Sequence, residues 1–236
     1  MKVAIHQPQY FPWPPYVHKV ISADIFVYLD TVQFSKNGLQ NRNQIRTSQG
    51  ASWLTIPVKQ KLGQSIVETE IADQRCSMKH FKTLQAAYAR TVGFERWRDE
   101  LETLLAREYK MLVDLSVSST NWMLEKLGVT TQLVRASEMK GIEGEASALV
   151  ASICRALSAD IYLTGTGALA YLEASDFAAI RCDVEVQTWQ PFEYTQAFSG
   201  DQFVADLSTL DLLLNRPDDT ATLINAAGGW KRLSTQ

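Results

Sequence analysis

The first thirty residues constrain the fold more than any other part of the chain. A short apolar run, residues 2–5, ends abruptly at His6-Gln7-Pro8, which reads as a buried strand stopped by a polar turn. Pro14-Pro15 then open a helix that runs to about Ser22, since the earliest helical positions have no hydrogen bond for a proline to remove. Ile25-Phe-Val-Tyr-Leu29, led in by Asp24 and closed by Asp30, is a second strand. Strand, turn, helix and strand in this space make a βαβ unit, whose usual form is a parallel pair with a helical crossover.

The rest of the chain alternates in the same way, with one interruption. Residues 33–49 read as a long polar loop rich in Asn and Gln, and residues 52–58 and 66–71 as strands around a turn at Gly63. From Met78 the apolar spacing becomes helical, through runs ended by Gly93 and Gly128, and these helices form a lobe at about 77–128. Strands are expected at 131–135, 159–164 and 184–189. Helices are expected at 145–157, from about Ala168, at 206–215 and past Pro217, where a loose tail follows. The expected architecture is α/β: a Rossmann-like, mostly parallel sheet with flanking helices and an inserted helical lobe, in one domain spanning 1–236.

Composition removes several function classes. A formal net charge of −3 and a pI of about 5.7 give no basic field for nucleic acid. No apolar stretch approaches the roughly 20 residues that span a bilayer, and the N-terminal run is too short for a signal peptide, so a cytoplasmic protein is expected. Cys76, Cys154 and Cys182 are widely spaced and form neither a disulfide framework nor a zinc motif, and no metal site is expected.

The chemistry-bearing residues gather around the opening segment. His6 ends the first strand, at the sheet edge where open α/β folds hold ligands, and suits either phosphate binding or general acid–base work; the plainer alternative is a turn-capping histidine. His18 on the following helix carries the same two readings, while His80 reads as surface. Asp30 at the end of the second strand is a candidate for a ribose or Mg²⁺, and Asp24 for a turn cap. Arg42, between Asn41 and Asn43, has the fork geometry for a carboxylate or phosphate. Gly165-Thr166-Gly167, between a strand and a helix, is either an anion cradle or a tight turn. Tyr10, Phe11, Trp13 and Tyr16 are candidates for stacking on a sugar or base, or for simple core packing.

The segment His6-Gln-Pro-Gln-Tyr-Phe-Pro-Trp13 resembles the WbqC-like family of bacterial proteins, often encoded with O-antigen and other surface-polysaccharide genes. Residues 23–36, Asn41-Arg42-Asn43, 53–58, 162–172, 194–196 and 207–213 continue the similarity, with Pro15 where the family is expected to carry Gly. The strand–His–helix–His–strand order is also similar to the nucleotidylyltransferase superfamily, including pantothenate synthetase-like ligases, although here the histidines are farther apart and lack an intervening Gly. Together these resemblances imply a cytoplasmic enzyme of surface-polysaccharide biosynthesis, with a sugar nucleotide or amino acid as its small-molecule substrate, that transfers an aminoacyl (glycine) or acyl group to a sugar or sugar nucleotide through a nucleotide-activated carboxylate. They leave the cofactor open, ATP or another nucleotide with Mg²⁺ being the expectation. His6, His18 and Asp30 are then the expected catalytic residues. Gln7, Tyr10, Trp13, Lys36, Asn41, Arg42, Asn43, Gly165, Thr166 and Gly167 are expected to bind substrate. The alternative is a non-catalytic binder of a sugar nucleotide or a partner protein.

Overall fold

A computed structural model describes residues 1–198 and 202–233. Its centre is a six-stranded sheet in the order β10-β9-β8-β1-β2-β7, with only β10 antiparallel. The parallel strands are β1 (Lys2–His6), β2 (Ile25–Tyr28), β7 (Gln132–Arg135), β8 (Ile161–Thr164) and β9 (Asp183–Trp189). β1 lies between β2 and β8, so Ala4 pairs with Phe26 on one side and Leu163 on the other. The chain thus builds outward from β1 in one direction through β2 and β7, then returns to build the other way through β8 and β9.

Side-chain alternation along the strands separates two cores. Ala4, Phe26, Tyr28 and Leu163 face helix α1 (Pro14–Ser22) and the helices α2 (Cys76–Tyr88), α3 (Val92–Ala106), α4 (Leu112–Lys126) and α7 (Thr209–Asn215). Val3, Ile5, Val27, Tyr162 and Val184 face α5 (Ala146–Ala156) and α6 (Ala174–Ala179). The connection after β1 therefore covers one face of the sheet and the connection after β8 the other.

Several elements depart from the sequence reading, among them the strand expected at 66–71, of which only Glu70–Ile71 is extended. The polar stretch 33–49 contains strand β3 (Arg42–Thr47), paired in a hairpin with β4 (Gly50–Thr55). Its inward positions include Asn43, which replaces apolar contact with hydrogen bonds, so no apolar alternation marks it. The helix expected from Ala168 is a 3₁₀ turn, Thr166–Ala170, followed by the short α6. The tail after α8 (Thr220–Ala227) forms the edge strand β10 (Gly228–Arg232) against β9. Gly228 has a steric cause: a Cβ there would lie 2.2 Å from the ring of His18. The short strands β5 (Val58–Lys59) and β6 (Glu70–Ile71) make a second small antiparallel pair.

The segment between β1 and α1 is pinned from several directions. Phe11 adopts a positive φ of 44°, a conformation that costs a bulky residue roughly 1–2 kcal/mol. Its N–H donates to Ser119 Oγ on α4 (3.1 Å), and its carbonyl accepts from Asn43 Nδ2 (2.8 Å) and from Ser208 Oγ (2.6 Å). Ser208 also caps α7, accepting from the Leu210 N–H at 3.0 Å.

Helix α3 meets α7 at Gly93, where an added Cβ would sit 2.6–2.7 Å from the backbone of Leu213 and Leu214. Backbone on both sides cannot yield as a side chain would. Gly93→Ala is expected to lower unfolding free energy by about 1–3 kcal/mol, read as a lower denaturation midpoint in urea.

Candidate functional site

A crevice of about 170 Å³ opens at the carboxyl ends of β1 and β8. This is where the strand order reverses, and where neighbouring connections leave for opposite faces, the position at which open α/β sheets hold ligands. His6 and Gln7 enter it from β1, Lys19 from α1, Thr164 from β8, and Gly165, Gly167 and Tyr171 from the turn beyond. Tyr162 and Val150 close the side belonging to the second core.

Lys19 dominates the electrostatics. It is only 5 % exposed, and no carboxylate among the described residues forms an ion pair with it. Its ammonium lies 5.9 Å from the centroid of the Tyr16 ring and faces Gly165, where a Cβ would be 3.6 Å away. Burial without a counter-charge brings its pKa down from 10.5 to about 7. His6 is held neutral, its pKa lowered to about 3 by burial first and the nearby Lys19 charge second. Its Nδ1 lies 2.9 Å from the Gln7 carbonyl oxygen, which can only accept. The ring proton therefore sits on Nδ1, and Nε2 carries the lone pair.

Of the residues expected at the site, His6, Gln7, Gly165 and Gly167 line this crevice. Thr166, between the two glycines, is exposed. The five-residue 3₁₀ turn is too short to add the helix-terminus charge expected there.

The structure does not bring His18 or Asp30 into the crevice. His18 is stacked on Trp230 (centroids 5.4 Å apart), with its Nδ1 accepting from Gln187 Nε2 at 2.8 Å. Because that same amide nitrogen donates to the Pro15 carbonyl, its identity is fixed, and His18 is a packing residue tying α1 to β9 and β10. Asp30 is fully buried and accepts from the Ser137 N–H (2.9 Å) and Ser137 Oγ (2.7 Å), capping a 3₁₀ turn.

The expected binding residues of the segment 36–43 also lie elsewhere. Lys36 is exposed. Asn41 donates to the Ile56 carbonyl (2.8 Å), and Asn43 serves Phe11. Arg42 stacks on Trp53 (4.3 Å) and donates to the Asn37 carbonyl. Tyr10 is core, its hydroxyl 3.0 Å from Nδ1 of His80, which is buried rather than on the surface. Trp13 lines a separate, largely apolar concavity of about 240 Å³ with Trp189, Phe192 and Tyr194. Among the described residues no group of three His, Cys, Asp or Glu side chains could hold a metal ion.

Sequence reasoning missed Lys19, Thr164, Tyr162 and Tyr171. For Lys19 a signal existed: it stands three residues after Tyr16, on a helix too apolar to spare an exposed face. Replacing it tests the electrostatics directly. The unfolded chain keeps the Lys19 proton up to about pH 10.5 and the folded chain only to about 7, so folded-state stability rises with pH across that interval. Lys19→Met is expected to be more stable than the wild type by on the order of 2 kcal/mol at pH 6. The gap should shrink by pH 10, as measured by thermal melts at the two pH values.

A model of the WbqC-like protein family matches residues 7–222, from Gln7 in the crevice wall into α8. The chain is similar to the "Uncharacterized protein Rv1507c" of Mycobacterium tuberculosis (strain ATCC 25618 / H37Rv), with 31% identity over 221 residues. The alignment covers 91% of this chain and 93% of that protein. No solved structure matches the chain. The matched region holds every crevice residue except those at the end of β1, together with the helices of both faces, and on this evidence the chain belongs to the WbqC-like protein family.

Proposed function

We propose that the protein is a group-transfer enzyme of bacterial surface-polysaccharide biosynthesis, working in the cytoplasm. It would move an acyl or aminoacyl group, such as glycine, onto an amine of a sugar or sugar nucleotide. The observation that carries this reading is the buried, unpaired ammonium of Lys19 beside the neutral ring of His6, at the switch point of the sheet. A phosphate or nucleotide leaving group supplies the negative charge that Lys19 lacks.

The chemistry follows from those groups. The acceptor nitrogen attacks the carbonyl carbon of an acyl group activated as a mixed anhydride with a nucleotide's phosphate. A C–N bond forms, the C–O bond to phosphate breaks, and the phosphate leaves with the electron pair. The proton shed by the nitrogen passes to His6 Nε2. Lys19 and the Gln7 carboxamide hold the departing oxyanion. His6 is a weak base while the crevice is empty, partly because Lys19 repels a second positive charge. An anion bound to Lys19 offsets that repulsion, so the ring gains basicity as substrate arrives. ATP with Mg²⁺ is the expected source of activation.

The rival reading, a non-catalytic binder, draws on the apolar concavity around Trp13. It is weakened by the burial of Tyr10, Phe11 and Tyr16, which serve as core and not as a stacking surface. The deciding experiment incubates the purified protein with ATP, glycine and an amino-sugar nucleotide, and follows the mass of the sugar nucleotide. His6→Ala is expected to cut turnover by about 10²–10⁴-fold while leaving the nucleotide-induced rise in Tm in place. Unchanged turnover in that variant would rule out the role assigned to His6.

A further inference from the structure

We infer that the crevice selects an oxyanion that carries its own proton, a hydrogenphosphate or a protonated phosphate monoester, and that Gln40 is the positioning residue that fixes the polarity of this selection. The inference rests on the anion-binding reading of the crevice and concerns the phosphate released on transfer, since the mixed anhydride itself has no P–OH and leaves His6 Nε2 free for the acceptor nitrogen.

Two hydrogen-bond chains set which atoms face a ligand, and each begins at a backbone group whose role cannot reverse. The Ser35 N–H can only donate, and its acceptor is Gln40 Oε1 at 2.8 Å. The other end of the Gln40 amide is therefore nitrogen, and it lies 2.7 Å from Gln7. That nitrogen can only donate, so the Gln7 atom receiving it is Oε1. The Gln7 NH₂ group is left for a ligand, because no acceptor among the described residues takes it. Gln40 is well placed to hold this orientation, being 3 % exposed, with its own carbonyl accepting from Ser116 Oγ at 2.9 Å.

The second chain is shorter. The Gln7 carbonyl can only accept, so His6 Nδ1 donates to it and Nε2 offers a lone pair. The crevice thus presents donors from Lys19 and Gln7 and, in His6 Nε2, an acceptor that cannot turn donor, while the hydroxyls of Thr164 and Tyr171 can serve either way. A fully deprotonated oxyanion satisfies the donors but sets oxygen lone pairs against Nε2. To accommodate it, His6 would have to take up a proton against burial, the larger of the two causes that keep the ring neutral and one that the anion's charge on Lys19 does not remove. An oxyanion with a P–OH group satisfies all three side chains. Sulfate and phosphate separate these cases, since they match in size and shape, and near neutral pH only phosphate retains a proton.

The test is calorimetric titration of the intact protein with sodium phosphate and, separately, sodium sulfate. It is run at constant ionic strength and pH 6.5, where Lys19 is largely charged. Phosphate is expected to bind at least ten-fold more tightly, the scale of one hydrogen bond involving a charged group. His6→Leu should bring the ratio close to one while anion binding persists. Gln40→Met should weaken phosphate at least five-fold by releasing the Gln7 carboxamide, while the phosphate-to-sulfate ratio stays above one. Equal affinities in the wild type overturn the selection but leave the anion crevice standing, whereas binding of neither ion overturns both. Unchanged phosphate affinity in Gln40→Met removes the positioning role. The wild-type ratio decides the main point even if a variant fails to fold.

Discussion

The left-handed turn at Phe11 is the constraint on which the rest of the structure depends. It lets the chain leave β1 and enter α1 with Pro12 to Pro15 in between, and three side chains from distant parts of the sequence hold it. Ser119 comes from α4, Asn43 from the β3–β4 hairpin and Ser208 from the cap of α7. The unfavourable backbone conformation is stable only because all three elements are in place. One strained residue therefore joins the sheet, the helical layer and the C-terminal helices. It also fixes the angle at which α1 delivers Lys19 to the sheet edge.

The crevice in turn follows from topology. Two parallel strands side by side, with connections leaving toward opposite faces, cannot close the gap above their ends. The chain places a buried charge in that gap. Lys19 could have been paired with an acid at low cost in sequence, since 26 Asp and Glu residues are available. None of those among the described residues makes ion-pair contact with it. A histidine whose tautomer is set by a backbone carbonyl, and a glutamine whose amide is oriented through another glutamine, complete a wall in which these two side chains each have one available role.

Much of this fold was legible in the sequence because the parallel strands are short apolar runs bounded by sharp polar turns. The elements that escaped notice are those in which another interaction replaces apolar patterning. β3 buries Asn43, whose amide serves Phe11, and β10 begins with two glycines because the ring of His18 occupies the space above Gly228 and Thr188 Oγ1 lies 2.8 Å from where a Cβ of Gly229 would be. The site was half legible. His6, Gln7, Gly165 and Gly167 could be placed from strand ends alone, since a residue at the carboxyl end of a parallel strand has few other places to go. His18 and Asp30 carry the right chemistry and sit close in sequence, yet their polar atoms are consumed by Gln187 and Ser137. Side-chain pairing at that range cannot be read from spacing. Lys19 was passed over for a related reason: lysine on a helix is ordinarily solvated, and only the burial of α1 from Pro15 to Val20 makes this one exceptional.

An ammonium 5 % exposed, with no ion-pairing carboxylate among the described residues, would on the anion-binding reading make the ligand part of the protein's own cohesion. An anion that binds there adds to folding stability in proportion to the logarithm of its concentration. The population of transiently open molecules, on which cellular proteases act, falls by the same factor. On the anion-binding reading, supply of the ligand would then lengthen the life of each copy by leaving proteases fewer open molecules to cut.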